Sequence, residues 1–473
     1  MRWFSAHMQR LLTGMYACLA GALAIGVALV LPGAGLDATA HFVWIGLASI
    51  ATAGLLAVIA GVSSATAVYM AIFWCFHFGL VVSLAIGVVT PADLSPWDET
   101  WVLSPFSSEA AGLALAGALA FASGACVMLW LRSRTAPNAR SSAAHSLVHD
   151  HGFAGSLLVF VTTATWAGIV VASSGLGALF SSYEDYLQAT AEYGSVFAVL
   201  WPVLGCGLVM SVTGRKAWYR TVALVTFGCF ALVALPLGLR SEVMFPAVGV
   251  FIALARVGKG MTSPKAMAIA VVILLIIPVV RAVRESGLRA FSTESLSLPG
   301  IGALMEMGGS LHPVEKVVRW HAEGEPYERG ASYWAPFERG AARLLPGART
   351  ARAADDDLRL MNVLVLDRIG AIGFSPVAEA YRNFGPIGVV IIMGLLGVVI
   401  GTIDTVADPR TAVLLIATVY VPLLVNVRNS FVSVPAQCAL GVLLATLIAA
   451  VRHVVGSVLS KPHARLVDHR SPV

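Results

Sequence analysis

Gly238-Leu239-Arg240-Ser241-Glu242 is a short turn set between two apolar runs, 218–237 and 242–255. The first run is long enough to cross about 30 Å of hydrocarbon, while the second is shorter and carries Pro246. A polar turn between such runs implies helices that leave and re-enter a bilayer, because lipid cannot satisfy the backbone groups of an open structure. The alternation continues in both directions. Apolar runs recur near 12–32, 41–60, 65–89, 110–131, 154–172, 193–212, 266–283, 386–403, 411–427 and 432–451. The expectation is an all-α polytopic membrane protein with about 12 transmembrane helices, of which 242–255 is the weakest, a broken or half-crossing one.

Composition agrees. Hydrophobic residues make up 58% of the chain and charged residues 12%, with a mean hydropathy of +0.82, outside the range of a soluble domain. All six cysteines lie inside apolar runs, where Cys acts as a small hydrophobe, so no disulfide or metal framework is expected. The chain contains no Walker A motif, dinucleotide fingerprint, HExxH or Gly-x-Ser-x-Gly elbow, which argues against nucleotide-dependent and zinc-dependent enzyme classes. No cofactor, metal or nucleic-acid partner is expected. The first run follows Arg2 and Arg10 like a signal peptide, with Ala38-Thr39-Ala40 resembling a cleavage site. It exceeds the usual h-region of about 7–15 residues and reads as an uncleaved helix.

Basic residues set the orientation. Arg132, Arg134, Arg140, Arg215, Lys216, Arg220, Arg256, Lys259, Lys265 and Arg410 fall in alternate intervals, together with both termini. The opposite intervals 33–40, 90–108 and 173–192 hold no Lys or Arg, only acids such as Asp37, Asp93, Asp98, Glu99 and Glu184. By the positive-inside rule both termini are cytoplasmic and 284–385 is external. The expected organisation is a bundle of about seven helices over 1–237, helices eight and nine over 238–283 with the outer Gly-Leu-Arg turn, an extracytoplasmic loop over 284–385, helices ten to twelve over 386–452, and a cytoplasmic tail over 453–473.

Arginines at outer helix ends break the rule and need a reason. Arg240, Arg281 and Arg428 sit at outer turns, and a guanidinium suits bidentate recognition of phosphate. Snorkelling to the interface is the plainer reading of each alone, and Glu242 can simply pair with Arg240. The long loop is not a linker: 299–324 mixes apolar and polar residues at helical spacing, broken at Gly308-Gly309. Asp355-Asp356-Asp357 can cap a helix beginning near Leu358. Between Tyr327 and Leu345, Tyr327, Tyr333, Trp334 and Phe337 alternate with Arg329, Arg339 and Arg343, a mixture that suits sugar faces and phosphates, or an interfacial aromatic belt.

Several segments together carry a resemblance. Gly238-Leu239-Arg240, Glu306-Met307-Gly308-Gly309-Ser310, the Tyr327–Tyr333 stretch with Gly330, the segment from Gly373-Phe374-Ser375-Pro376 through Glu379-Ala380-Tyr381-Arg382-Asn383-Phe384-Gly385-Pro386 to Gly388, and Arg428 resemble the Wzy family of oligosaccharide repeat-unit polymerases. The resemblance covers about 236–431; before that the chain matches only in having many helices. It implies a GT-C-like glycosyltransferase in the bacterial cytoplasmic membrane that uses undecaprenyl-diphosphate-linked glycans as donor and acceptor. A chain-length regulator and a repeat-unit flippase are candidate partners beside membrane lipids.

In that chemistry an acceptor hydroxyl attacks the anomeric carbon of the donor, and the departing diphosphate gathers charge that fixed guanidinium groups stabilise. Arg240, Arg281 and Arg428 are the candidates for this role, with Arg284, Arg382 and Tyr381 as further substrate contacts. Glu379 and Glu306 are candidate general bases. His312 joins them because a loop histidine serves in the related O-antigen ligases. A ligase transferring a finished glycan is the neighbouring reading; a flippase would need charged groups inside the spans, which are nearly free of them.

Overall fold

The computed structural model describes residues 2–30, 38–135, 151–180, 183–212, 214, 216–258, 307–344, 357–370 and 372–459. Among them, ten helices are long and apolar enough to cross a membrane: Arg10–Val30, His41–Ala60, Ala65–Ala85, Ser107–Arg132, Gly152–Ser174, Tyr183–Ser211, Ala217–Ala234, Pro376–Thr405, Pro409–Asn426 and Phe431–Val454. No strand occurs among the described residues. The chain is an all-α, multi-pass membrane protein. The expected span at 266–283 lies outside the described residues. The weak one is a continuous helix, Arg240–Arg256, rather than a broken one. Its 17 residues reach about 26 Å at 1.5 Å per residue. Pro246 is accommodated because its ring packs against Gly205, and neighbouring helices let membrane helices tolerate proline.

Close backbone contact builds the centre. The Ser107–Thr135 and Pro376–Thr405 helices cross with almost nothing between them: a Cβ on Gly124 would lie 2.1 Å from the carbonyl oxygen of Gly394, and one on Gly397 would lie 2.1 Å from that of Phe121. Lipid offers no hydrophobic drive for helix association, so such small-residue crossings supply the packing. Gly207 and Gly155 bring the Gly152–Ser174 and Gly194–Ser211 helices together in the same way.

The two ends of the bundle are built differently. At one end the Asp404 carboxylate accepts from the backbone N–H groups of Ala65 and Thr66, both at 2.9 Å, capping a helix whose free amides face it. Arg132 and Arg256 donate to the Asp404 carbonyl at 2.6 and 3.3 Å, and Tyr420 donates to that of Ala65 at 3.0 Å. Since Arg256 ends its helix here, Arg240 is carried to the opposite end.

At that opposite end the connecting segments gather. Gly308 lies so close to the Ala65–Ala85 helix that a Cβ would be 2.4 Å from the Leu80 nitrogen. The Ser104 hydroxyl donates to Glu315 at 2.6 Å, as does Arg319 Nε at 3.0 Å. The helix His312–Ala322 follows a 3₁₀ turn at Gly308–Leu311, in keeping with the Gly308-Gly309 break. The next expected helix start is corrected: it falls at Met361, not Leu358. Asp357 is buried and grips Arg359 through its backbone N–H and guanidinium, which closes a turn before the helix rather than capping it.

A break at Gly385 divides the Pro376–Thr405 helix into a membrane part and a short stub, Pro376–Phe384. Gly385 takes φ 68° and ψ −161°, a conformation that glycine adopts without penalty, and Pro386 has no N–H to continue the ladder. The carbonyls thereby released do not stay empty. Arg382 O accepts from Glu328 N at 3.0 Å, and Asn383 O from Arg329 N at 2.9 Å. Tyr327 then lies directly on Gly385, where a Cβ would meet the ring at 3.0 Å.

Gly397→Val should separate the two central helices, at a cost of roughly 1–3 kcal/mol or more from overpacking. Gly26→Val, where nothing lies within 4 Å, should be neutral. Thermal melting in detergent checks both; equal stability would show that the crossing is not tightly packed.

Candidate functional site

The loop-bearing end contains a cavity of about 170 Å³. Its walls come from four separate parts of the chain, represented by Asp98 and Trp101, by Ser310 and His312, by Gly373, and by Arg428. Ser95-Pro96-Trp97-Asp98 opens the Pro96–Val102 helix: Ser95 Oγ accepts from Asp98 N at 3.1 Å, and its hydroxyl donates to Asp98 Oδ2 at 2.7 Å. The Trp101 indole N–H donates to Asp98 Oδ1 at 3.2 Å. The carboxylate is thus aimed from both sides. Trp101 is buried, and the His312 ring stacks on it at 5.3 Å and 10°.

His312 begins its helix with Pro313 as the next residue, a position where proline fits. Burial, with Lys316 and Arg319 adding positive charge, pushes its pKa down to about 3. The imidazole is therefore neutral at pH 7. Arg428 enters from the far side after the Val421–Asn426 helix, its carbonyl accepting from Phe374 N at 2.7 Å and its guanidinium lying 5.7 Å from the Phe76 ring centre. Gly373 is forced by this approach: a Cβ there would be 2.6 Å from the Arg428 carbonyl oxygen. A guanidinium can bind anionic oxygens in pairs, and a carboxylate can take hydroxyl protons. A volume of roughly 150 Å³ is enough for a six-membered ring.

A second network stands on the stub. Glu379 is fully buried; Ser332 donates to its Oε1 at 2.8 Å and Phe431 N to its Oε2 at 2.7 Å. Asn383 donates to Ser332 Oγ and to the Glu379 carbonyl, both at 2.7 Å, and accepts from Gly330 N at 3.0 Å. Ser375 caps the stub by accepting from Val377 N at 3.1 Å, and joins His77 Nε2 at 2.8 Å. Arg382 pairs with Glu328 at 2.7 Å and Glu325 at 3.3 Å, over the Trp320 ring at 5.6 Å. Tyr381 is buried against His321 and Tyr327.

Of the residues that sequence reasoning singled out, His312 and Arg428 come together in the cavity. Glu379, Tyr381 and Arg382 share the neighbouring stub without lining it. Arg240 opens its helix at the same end, where Gly238 turns at φ 85°. Glu306, Arg281 and Arg284 lie outside the described residues. The aromatic stretch divides: Tyr333 packs against Phe384 and Phe431, while Trp334 remains exposed. Asp98 and Trp101 were missed as site residues, although Ser-x-x-Asp with proline at the first helical position signals a fixed helix start.

The family described as O-antigen polysaccharide polymerase Wzy matches residues 40–455. The match therefore runs through the N-terminal half as well, beyond the 236–431 in which motifs are readable. Protein CapE of Staphylococcus aureus is 26% identical over 267 residues, covering 54% of this chain. The chain spans 56% of the length of that relative. No solved structure matches.

A histidine held down to about 3 when folded but near 6.5 when unfolded makes the unfolded state bind the extra proton in between. Its stabilising contribution is present above about pH 6.5 and declines as pH falls toward 3. His312→Phe, which keeps a ring on Trp101, should flatten the acid-side loss of melting temperature; an unchanged slope would mean that His312 is not buried neutral.

Proposed function

Because this chain belongs to the O-antigen polysaccharide polymerase Wzy family, we propose that it joins lipid-linked oligosaccharide repeat units into a polysaccharide. The donor is a growing glycan on undecaprenyl diphosphate, and the acceptor is the next lipid-linked unit. Transfer takes place at the outer face of the bacterial cytoplasmic membrane, with both termini inside. What carries the reading is one cavity at the loop-bearing end, lined by a guanidinium, an imidazole and a carboxylate from separate segments.

Glycosyl transfer from a lipid diphosphate needs little beyond placement and charge. The acceptor oxygen bonds to the anomeric carbon while the bond to the diphosphate oxygen breaks. Arg428 meets the charge that develops on the leaving group, in a site where it is already positioned and little water must reorganise. Arg240, Arg281 and Arg284 are proposed as further anion contacts. The neutral His312, stacked on Trp101, forms the wall that orients the sugar. Glu379, Asn383 and Ser332 hold the stub against Phe431 and so keep Gly373 on Arg428. Arg382 is assigned to the same supporting role, since two carboxylates already neutralise it.

Purified protein in nanodiscs, supplied only with undecaprenyl-diphosphate repeat units, should build a ladder spaced by one unit and release undecaprenyl diphosphate. Arg428→Ala should lower turnover by roughly 10²–10³. Arg428→Lys should recover little of it, because lysine lacks the bidentate fork. Movement of labelled units across a vesicle membrane without a ladder would replace the polymerase with a flippase, and wild-type turnover in Arg428→Ala would remove the clamp.

Sidedness has its own test. In a chain freed of its native cysteines, Glu323→Cys should react with an impermeant thiol reagent in intact cells and Ala217→Cys should not; both positions are exposed. The reverse pattern would turn the protein over and place the cavity in the cytoplasm.

A further inference from the structure

The cavity needs a group that receives the acceptor's proton, and the obvious candidates are poorly suited. Glu379 is fully buried and lies outside the cavity lining. Glu315 is fully buried, bridging Ser104, Lys316 and Arg319. His312 lines the cavity, but Lys316 and Arg319 oppose a third positive charge beside them. Asp98 is left. It is half-buried, lines the same cavity as Arg428, and is the carboxylate of the lining.

We propose that Asp98 binds the attacking hydroxyl of the acceptor sugar and takes its proton, making the 95–101 segment the acceptor side of the cleft. The assignment rests on the polymerase reading above. Its geometry is that of a preorganised base: Ser95 holds one oxygen at 2.7 Å and Trp101 the other at 3.2 Å. A carboxylate accepts about four hydrogen bonds, so each oxygen keeps a free lone pair. Trp101 is in turn fixed by His312, so acceptor and donor walls share one support. A carboxylate base activating an oxygen nucleophile is the arrangement that glycoside chemistry uses on the face opposite the leaving group.

The step balances. The acceptor O–H proton passes to the Asp98 carboxylate, and the acceptor oxygen forms its bond to the anomeric carbon. The bond from that carbon to the diphosphate breaks, and its electron pair leaves on the diphosphate oxygen facing Arg428. The proton held by Asp98 returns to water when the elongated product withdraws. The acceptor is accordingly a sugar whose non-reducing end presents a free hydroxyl, one ring of which enters the cavity.

Asp98→Asn keeps the shape and can still accept from Trp101, but cannot take a proton. In the nanodisc assay kcat should fall by roughly 10²–10⁴. Stabilisation of the protein against heat by undecaprenyl diphosphate should be unchanged, because that ligand meets the Arg428 side. Asp98→Glu should recover part of kcat. If Asp98→Asn polymerises within about twofold of wild type, the assignment is overturned while the polymerase reading stands. If it loses undecaprenyl diphosphate binding along with turnover, Asp98 is structural and the assignment again falls. A wild-type protein that builds no ladder overturns both.

Discussion

The helix break at Gly385-Pro386 is the constraint on which the loop-bearing end depends. A membrane helix must keep its backbone groups paired, and proline removes one donor where the span reaches the surface. The positive φ of Gly385 lets the chain turn, and the carbonyls of Arg382 and Asn383 are given to Glu328 and Arg329 instead of to the next turn. A segment far away in sequence is thereby hydrogen-bonded to the head of a membrane helix. Everything that the stub carries, from Ser375 to Asn383, inherits its position from that exchange.

Charge is handled in two ways at the two ends of the bundle. At one end Arg132 and Arg256 close over the carbonyl of Asp404, whose carboxylate caps the Ala65–Ala85 helix. These groups complete one another's hydrogen bonding and serve the fold. At the other end Arg382 is similarly occupied, between Glu325, Glu328 and Trp320. Arg428 lines a cavity together with His312 and Asp98. Arginines equally conspicuous in the sequence thus divide into one outside the cavity lining and one within it.

The cavity also explains why the two halves of the chain belong to one unit. Trp101 and Asp98 precede the Ser107–Thr135 helix, which crosses the Pro376–Thr405 helix at Gly124 and Gly397. That crossing has almost no freedom to slide, since a Cβ on either glycine would strike a carbonyl oxygen. The rigid pair carries the 95–101 segment and the Gly373 turn to the same place. Ser104, donating to Glu315, ties the His312 helix to the pair.

Much of this protein was legible without coordinates. Apolar runs of membrane length dictated helices, because lipid permits little else, and Gly308-Gly309 announced a break by the chemistry of its backbone. Arg428 was readable as an unusual residue at an outer turn, and His312 became a candidate only through the family resemblance. Their meeting was not readable, because it depends on how the helices cross. Nor could residue type separate Glu379 from Asp98, two carboxylates at helix starts. One is sealed by Ser332 and Phe431, from elsewhere in the chain, and the other is left facing the cavity. Local sequence determines which groups can ionise, turn or cap, since those properties belong to single residues and near neighbours. Which groups are spent on one another and which face open space is decided only by long-range packing, because the partners that occupy a side chain come from helices far away along the chain.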